Sequence, residues 1–510
     1  MPAPGEALRL AEPLAALSLA SDLARGHPQD EALRATAVAV QVAAALHLDP
    51  ARVDTLYWCT LLRYVGCTAT SPQYVAAYGA SDVAVRQHGD YVDIASTRDG
   101  MRFLLALTDD VAGPRRLGRF LASLSRARAA GPDAARADCE VAAALIRQFG
   151  LPEAVQRGVL HSFERWDGRG WPDGIGADAI PLETRIATAA FTAVMFAELD
   201  VALARETVAA RAGTSLDPDV AAALLESFET VEAVVAGDAW GAALDAEPQP
   251  ARRVHDDELT PIARGYAHVA DLKSTYLHGH SAAVAEHVRA AAPLAGLAGD
   301  AARTAVRAAY MHDIGRVGID TRIWDRRGAL TRAEWEEVRL HPYHTERILA
   351  RAPCLHDVCA VAAAHHERPD GSGYHRGLRA GELPTAVQLL IACDAFQAIT
   401  ADRPHRPARS SQVAAAALQD MGLDGTVVSA TLEAQGLSAE RRPQHPAGLS
   451  EREVDVLRLL ARGMTKREVG STLHVSAATV HTHTMHIYDK IGSRTRAALA
   501  LFAMENGLLR

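Results

Sequence analysis

The chain has 510 residues, too many for one hydrophobic core, so its length predicts about two to four domains. A hydrophobic fraction of 49% and a charged fraction of 23% are typical of globular proteins and exclude a largely disordered chain. The net charge of −9 excludes a protein that binds nucleic acid along its whole length, but it leaves room for one basic module.

The sequence favours a cytoplasmic protein without membrane contact. No apolar stretch reaches the roughly 18 residues that a spanning helix needs. Glu6 and Glu12 stand where a secretion signal would be first basic and then apolar. The six cysteines form no CxxC pair, which is typical of reduced thiols.

Two stretches have the composition of linkers: residues 245–261 (DAEPQPARRVHDDELTP) and residues 441–448 (RRPQHPAG). Elsewhere, Ala-, Leu- and Arg-rich segments carry apolar residues at three- and four-residue spacing, and alternating strand-like runs are nearly absent. We therefore predict an all-α protein with domains at 1–244, 262–440 and 449–510.

The first two blocks repeat each other. The segment 164–170 (ERWDGRG) recurs as 367–373 (ERPDGSG), an offset of 203 residues, and Pro181 meets Pro384 at the same offset. Two copies in matching helical context indicate a duplication, and chance similarity of Gly-rich turns is the alternative.

The second block carries His and Asp where helices should carry apolar residues. These residues are His280, His312, Asp313, His341, His365, His366 and Asp394. Imidazole and carboxylate together suit divalent transition metals. Seven ligands exceed the four of a closed tetrahedral site and suit two ions that share a carboxylate and polarise a phosphoryl group. A lone buried His is usually a hydrogen-bonded core residue, but seven such residues predict a metal centre.

These residues resemble the His…His-Asp…Asp signature of the HD phosphohydrolase superfamily, and the flanking sequence is similar to its HD-GYP branch. The similar segments are HDIGRVGI from His312, the run ending at His341-Pro342, HHERPDGSGYH from His365, and Asp394 with RPHR at 403–406. The resemblance covers about residues 262–415.

The resemblance implies two divalent transition-metal ions, for which we expect iron or manganese. One ion would be held by His280, His312, Asp313 and Asp394, and the other by His341, His365 and His366, with Asp313 bridging. Family members with a third ion have Glu where this chain has Tyr276, so we predict a binuclear site.

The resemblance also implies the groups around the metals. Arg316 stands in place of the usual Lys, and we assign it to catalysis together with Asp313. Arg403 and Arg406 would contact substrate phosphates, and Tyr374 would line the pocket. We expect a phosphodiesterase of a cyclic di-GMP-like dinucleotide or a related phosphoester. A transcription factor that only senses a nucleotide, or an HD phosphohydrolase of another nucleotide, is the alternative, because the name-giving Gly-Tyr-Pro ends in His375 here.

The duplication sets non-ligands of the first block against the metal ligands of the second. In this alignment the positions of His365-His366 are occupied by Ser162-Phe163, and that of Asp394 by Phe191. The position of His341 is occupied by Asp138, and those of His312-Asp313 by Arg63-Tyr64, with Gly66 matching Gly315. Such side chains cannot form that metal site. We therefore predict a degenerate HD-like domain that serves as scaffold or dimer contact, with a sensory pocket as the alternative.

Residues 447–510 carry nine basic and six acidic residues. Ser450 with Glu453 and Thr465 with Glu468 predict capping boxes, and Ser476 predicts the start of a helix over about 477–489. Two short helices joined by a tight turn indicate a helix-turn-helix. In its last helix the 3.6-residue period points one stripe inward (Val480, Thr484, Ile487) and another outward (Ala478, Thr479, Thr482, Met485, His486).

This segment resembles the LuxR-type DNA-binding domain, in LSERE from Leu449, TVHTH from Thr479 and KIG from Lys490. The resemblance implies double-stranded DNA as a partner and a homodimer formed through the last helix, about 497–506. It also puts Val480 among DNA-contacting or helix-setting positions. A helical docking module is the alternative. We predict DNA contacts from Lys466, Arg467, Thr479, Thr482, His483 and Lys490, with Arg494 and Arg496 also on phosphates.

Overall fold

The computed structural model describes residues 7–93, 95–436 and 445–509. These are mostly helical, which confirms the all-α prediction; the strands in them are an antiparallel pair, β1 (Leu8–Arg9) and β2 (Arg253–Val254). In this part of the chain no helix has the length and apolarity that a membrane span requires. All six cysteines are free thiols, as predicted.

The chain divides into two compact units, Met1–Asp256 and Asp257–Arg510. The predicted first linker, 245–261, contains β2 and this boundary. Residues 441–444 of the predicted second linker lie outside the described residues. The domain bounds given above stay a prediction.

One apolar core of the first unit is built mainly from helices α2 and α9–α12. The helices of this unit are α1 (Ala11–Arg25), α2 (Glu31–Ala45), α3 (Pro50–Leu61), α4 (Ser71–Tyr78), α5 (Asp82–Asp90), α6 (Thr97–Ala106), α7 (Pro114–Gln148), α8 (Glu153–Leu160), α9 (Leu182–Ala197), α10 (Val201–Arg211), α11 (Pro218–Glu226), α12 (Phe228–Ala236) and α13 (Ala239–Asp245).

The second unit combines a helical domain with a small C-terminal bundle. Its helices are α14 (Leu259–Asp271), α15 (His280–Ala291), α16 (Gly299–Met311), α17 (Thr321–Trp324), α18 (Arg332–Arg339), α19 (His341–Leu349), α20 (His356–Ala362), α21 (Thr385–Thr400), α22 (Ser411–Gln419), α23 (Gly425–Gly436), α24 (Glu451–Ala461), α25 (Lys466–Leu473), α26 (Ala477–Ile491) and α27 (Arg496–Glu505). The bundle contacts the helical domain through α27 on α14 and through an ion pair of Arg462 with Asp402 at 3.3 Å.

Each unit contains the same kind of close backbone contact, which supports the duplication. In the first unit, a Cβ on Gly66 would lie 2.1 Å from the carbonyl oxygen of Asp138 in α7. In the second, a Cβ on Gly315 would lie 2.0 Å from the carbonyl oxygen of His341 in α19. Each glycine lies at a 3₁₀ turn, Cys67–Thr70 or Ile314–Gly318, so glycine is needed for the approach of the two backbones.

The repeated ERxDGxG motif closes the same kind of loop in each unit. The Glu164 carboxylate accepts a hydrogen bond from the backbone N–H of Asp173 at 2.7 Å. The Glu367 carboxylate accepts one from the N–H of Leu378 at 2.9 Å. These buried acids are structural parts of their loops.

We expect Gly315→Ala to destabilise the second unit by at least about 1–3 kcal/mol, because the added methyl group meets backbone atoms that cannot rotate away. Thermal denaturation of the purified chain measures the change. Gly328→Ala is the matched control, because nothing lies within 4 Å of a Cβ there. Equal melting temperatures for the two variants would contradict this reading of the contact.

Candidate metal centre and nucleic-acid interface

Five segments of the second unit bring the predicted metal ligands together. His280 and His341 are the first residues of α15 and α19, and His312 and Asp313 directly follow α16. The pair His365-His366 follows α20, and Asp394 lies in the middle of α21. Because the candidate ligands lie at helix ends or on one face of a helix, the helices bring them together without being distorted.

The Asp313 carboxylate lies at the centre of the cluster. Its Oδ2 is 3.3 Å from Nε2 of His280 and 3.1 Å from Nε2 of His312. Its Oδ1 is 3.4 Å from Nε2 of both His341 and His365. Each oxygen therefore faces a different set of imidazoles, as the bridging role implied by the resemblance requires, and that role stays a prediction.

The remaining ligands fall into two groups beside this carboxylate. His280, His312 and Asp394 form one group, in which His280 Nε2 is 3.1 Å from Asp394 Oδ1. The other group consists of His341, His365 and His366. In each group the candidate ligand atoms lie within 4.8 Å of one another. This is the grouping that the resemblance implies, and its assignment to metal ions stays a prediction.

Backbone carbonyls orient three of the imidazole rings. Nδ1 of His312, His341 and His365 each lies 2.6–2.7 Å from the carbonyl oxygen three residues earlier in the chain. A ring that donates from Nδ1 leaves the lone pair of Nε2 free for a metal. Each Nε2 points into the cluster.

The unsatisfied atoms of the cluster fit a divalent cation. Nε2 of His280 and His312, both oxygens of Asp313 and Oδ1 of Asp394 are buried, and none of them makes a well-oriented hydrogen bond. Buried polar groups without partners are costly unless they are paired or bind a metal. The nitrogen and oxygen donors match those that transition metals prefer.

Electrostatics keep two of these groups, Asp313 and His341, in the protonation states that metal binding needs. Burial alone would raise the pKa of Asp313, but Arg316 and His312 hold it well below its usual range. Burial and the neighbouring His366 lower the pKa of His341. The carboxylate is therefore ionised and the His341 imidazole neutral.

The structure places two of the three predicted arginines at the cluster. The Arg316 guanidinium is 2.6 Å from Asp313 Oδ2 and lies 5.1 Å from the centre of the Trp324 ring. Burial and the nearby charge of Arg316 lower the pKa of Arg403 to about 10, while Asp394 opposes that shift. Both cations therefore lie near the buried carboxylates of the cluster.

Arg406 is held by backbone carbonyls. Its guanidinium donates hydrogen bonds to the carbonyls of residues 398 and 399 in α21 and of residues 401 and 407 in the loop that follows. This arginine clamps the loop to the end of α21, and its contact with a substrate phosphate stays a prediction. Sequence reasoning missed it because the accepting carbonyls are not visible in a motif.

Tyr374 and His375 lie on the loop that enters the site. The Tyr374 ring centre is 4.5 Å from that of His366, and Tyr374 lines a cleft of about 520 Å³ beside α18. His375, which replaces the proline of the family motif, has its Nε2 2.9 Å from Glu346 Oε2. Arg376 pairs with the same carboxylate. Glu346 thus anchors this loop, a role that the sequence did not reveal.

The C-terminal bundle has the predicted helix-turn-helix geometry. Both capping boxes form, at Ser450 and Thr465, and Ser476 caps α26. Val480, Thr484 and Ile487 are buried, as the helical period predicts. The buried position of Val480 excludes the DNA contact that the resemblance allowed for it.

The other predicted DNA-binding side chains are accessible to different degrees. Thr479, Thr482 and Arg467 are exposed, His483 is half-buried, and exposed Lys466 has its Nζ 2.7 Å from His481 Nδ1. The predicted contacts of these five residues with DNA remain predictions.

Two predicted phosphate ligands are engaged inside the bundle. Lys490 is exposed, but its Nζ pairs with Glu453 Oε2 at 2.7 Å. Arg496 donates to the backbone carbonyl of Met464 and is partly buried, and its contact with a DNA phosphate stays a prediction. Arg494 is exposed.

The last helix, α27, is covered. Its residues Leu499, Leu501 and Met504 are buried, and the helix packs on α24 and α14. In this conformation the predicted homodimer needs either another surface or the separation of α27 from α14.

Comparison with known proteins identifies both parts of the second unit. Residues 266–427 match the family model of the HD domain, and residues 447–503 match that of bacterial regulatory proteins of the luxR family.

The chain is also similar to characterised enzymes. The 3'3'-cGAMP-specific phosphodiesterase 3 of Vibrio cholerae is 28% identical over 418 residues, which cover 81% of this chain and 90% of that protein. The cyclic di-GMP phosphodiesterase of Thermotoga maritima is 42% identical over 101 residues, 19% of this chain and 27% of that protein.

A solved structure shares the fold. The crystal structure of a cyclic GMP-AMP specific phosphodiesterase of V. cholerae matches with a TM-score of 0.58 and 24% identity, covering 85% of this chain and 99% of that chain. The two family models identify residues 266–427 as an HD domain and residues 447–503 as a regulatory domain of the luxR family.

Proposed function

We propose that the HD domain is a metal-dependent phosphodiesterase of a cyclic dinucleotide and that the luxR-type domain binds double-stranded DNA. The observation that carries the enzymatic part is the Asp313 carboxylate, which has one oxygen toward each of two histidine groups. The first unit has lost these ligands and takes no part in the reaction.

The metal ligands, the arginines and Tyr374 have different roles in the proposed reaction. Bound divalent ions supply Lewis acidity and an activated water at neutral pH. The seven His and Asp side chains hold the ions, and we propose iron or manganese as a binuclear pair. Arg316 and Arg403 stabilise the negative charge that develops on the phosphoryl group. Tyr374, which lies against His366 and lines the cleft beside α18, would offer a ring face to a base.

The substrate that we propose is a guanine-containing cyclic dinucleotide. This choice is supported by the relatives, whose names specify 3'3'-cGAMP or cyclic di-GMP. His375 in place of proline changes the loop at the substrate side, so both dinucleotides are tested.

Asp313→Asn should lower hydrolysis by at least about 100-fold, more than the loss expected for a group that only supports a ligand. The substitution keeps the shape of the side chain and removes the charge that both histidine groups face. Anaerobically purified protein with added manganese or iron is incubated with each dinucleotide, and the products are separated by chromatography. Metal content is measured in parallel.

Asp357→Asn is the matched control, because this exposed carboxylate at the start of α20 lies outside the cluster. Hydrolysis that persists in Asp313→Asn would contradict the site. Tight binding of a dinucleotide without turnover by the unaltered protein would favour the alternative, a transcription factor that senses the nucleotide.

We expect Glu346→Gln to raise the KM for the dinucleotide about 2- to 5-fold with little change in kcat, because it weakens a partly exposed ion pair that holds the His375 loop. Steady-state kinetics separate the two constants. Glu433→Gln, an exposed position in α23, is the control. A fall in kcat alone would show that Glu346 acts on the metal ligands.

Arg467→Ala should weaken binding to duplex DNA and reduce the slope of log K against log salt by about 1, because it removes one phosphate contact. Fluorescence anisotropy with a 30-base-pair duplex of random sequence, over a series of salt concentrations, measures both. Arg303→Ala, an exposed arginine of α16, is the control. An unchanged slope would remove Arg467 from the interface.

The homodimer belongs to the same proposal. Because α27 packs on α14, dimerisation through this helix requires its release from the HD domain.

A further inference from the structure

The first unit encloses a cavity of about 880 Å³ at the position that corresponds to the metal centre of the second unit. Arg63, Tyr64, Asp138 and Phe191 line it, and the duplication sets these residues against His312, Asp313, His341 and Asp394. The shared backbone contacts of Gly66 and Gly315 support this correspondence. The volume is at the upper end of the range for small-molecule sites.

A second local match extends the correspondence to the first helices. The Asp22 carboxylate accepts a hydrogen bond from the N–H of Ala32 at 3.1 Å, as Asp271 accepts one from Ser281 at 2.9 Å. Glu31, which precedes Ala32 and lines the cavity, therefore stands where His280 stands. The first unit has kept the frame of the site and replaced its metal ligands.

The wall of the cavity carries two arginines that form no ion pair with a carboxylate of the described chain, Arg63 and Arg211. Arg63 is 7% exposed. Its guanidinium donates to neutral acceptors, the carbonyl oxygen of Ser162 and Thr188 Oγ1 at 3.1 Å, and its Nε has no hydrogen-bond partner. Arg211 donates to the carbonyl oxygen of Tyr91 at 3.2 Å.

The other buried arginines nearby are paired. Arg86 lies 3.2 Å from Asp138, and Arg165 lies 2.8 Å from Asp167. A buried cation without a counter-charge is costly. Buried Arg63 and half-buried Arg211 are therefore the two lining cations without a carboxylate partner that an anionic ligand would pair with.

Aromatic rings stand beside the unpaired charge. The Tyr64 ring centre lies 5.0 Å from that of Phe191 and 6.1 Å from that of Phe163. The Arg63 guanidinium carbon is 5.7 Å from the centre of the Phe191 ring. Guanidinium groups recognise phosphate, and ring faces stack on nucleobases.

We propose that this cavity binds a nucleotide, with its phosphate on Arg63 and Arg211 and its base against the aromatic wall. The site takes a ligand and carries out no reaction, because the positions aligned with His312, His365 and His366 hold Arg63, Ser162 and Phe163. It is independent of the proposed hydrolysis.

The test measures nucleotide binding by isothermal titration calorimetry to the full chain carrying Asp313→Asn. The probes are cyclic di-GMP, 3'3'-cGAMP, GMP and ATP. Adding Arg63→Gln should weaken one binding event about 10- to 100-fold, the effect of losing a charged hydrogen bond to phosphate. Adding Arg157→Gln, an exposed arginine of α8 outside the cavity, should leave it unchanged.

Stability separates a binding role from a structural one. Arg63→Gln removes a buried cation that has no carboxylate partner, so the melting temperature without nucleotide should stay the same or rise. If Arg63→Gln prevents folding, Arg211→Gln, at a half-buried position of the wall, replaces it and should weaken the same binding event.

Two results would overturn the proposal. One is that none of the four nucleotides shows a binding event sensitive to Arg63→Gln or Arg211→Gln. The other is a lower melting temperature with unchanged binding. Hydrolysis by the chain with Asp313 intact, measured separately, decides the proposed function whatever the outcome here.

Discussion

A single ionised carboxylate, that of Asp313, organises the second unit. It is fully buried, and a buried charge is stable only when opposite charges or a metal surround it. The local backbone is built to hold it in place. Thr345 Oγ1 donates to the carbonyl oxygen of His312 at 2.8 Å and accepts from the N–H of Gly315 at 3.0 Å. The turn after α16 is thereby tied to α19, which carries His341.

The candidate ligands could be recognised in the sequence because His and Asp are rare on apolar helix faces. Their division into two groups around Asp313 was implied by the resemblance to the HD-GYP branch, and the structure brings the same residues together. The arginines were harder, since a guanidinium reaches far and takes any oxygen acceptor. Arg316 lies at the carboxylate, whereas Arg406 turns back onto the carbonyls of its own loop. Whether an arginine reaches the carboxylate or binds nearby carbonyl oxygens depends on loop geometry, which residue types alone do not specify.

In the C-terminal bundle, too, the sequence predicts which helix face is buried but not which side chains of different helices pair. The 3.6-residue period correctly orients Val480 and Thr484, because burial on one face of a regular helix follows from helical geometry. It carries no information on Lys490, whose ammonium pairs with Glu453 from α24. Nor could the period of α27 show that this helix is covered by α14, since that contact joins segments more than 200 residues apart.

The first unit shows which features belong to the fold and which to the chemistry. Gly66 keeps the backbone contact that Gly315 makes, and Glu164 keeps the loop clamp of Glu367. The side chains that line the cavity can differ from the metal ligands of the second unit, because neither the glycine contact nor the glutamate clamp involves a metal. A frame that had become only a scaffold would gain stability by filling its cavity with apolar side chains. The burial of Arg63 in that cavity without a carboxylate partner lowers the stability of the fold, and a bound anion would offset that cost.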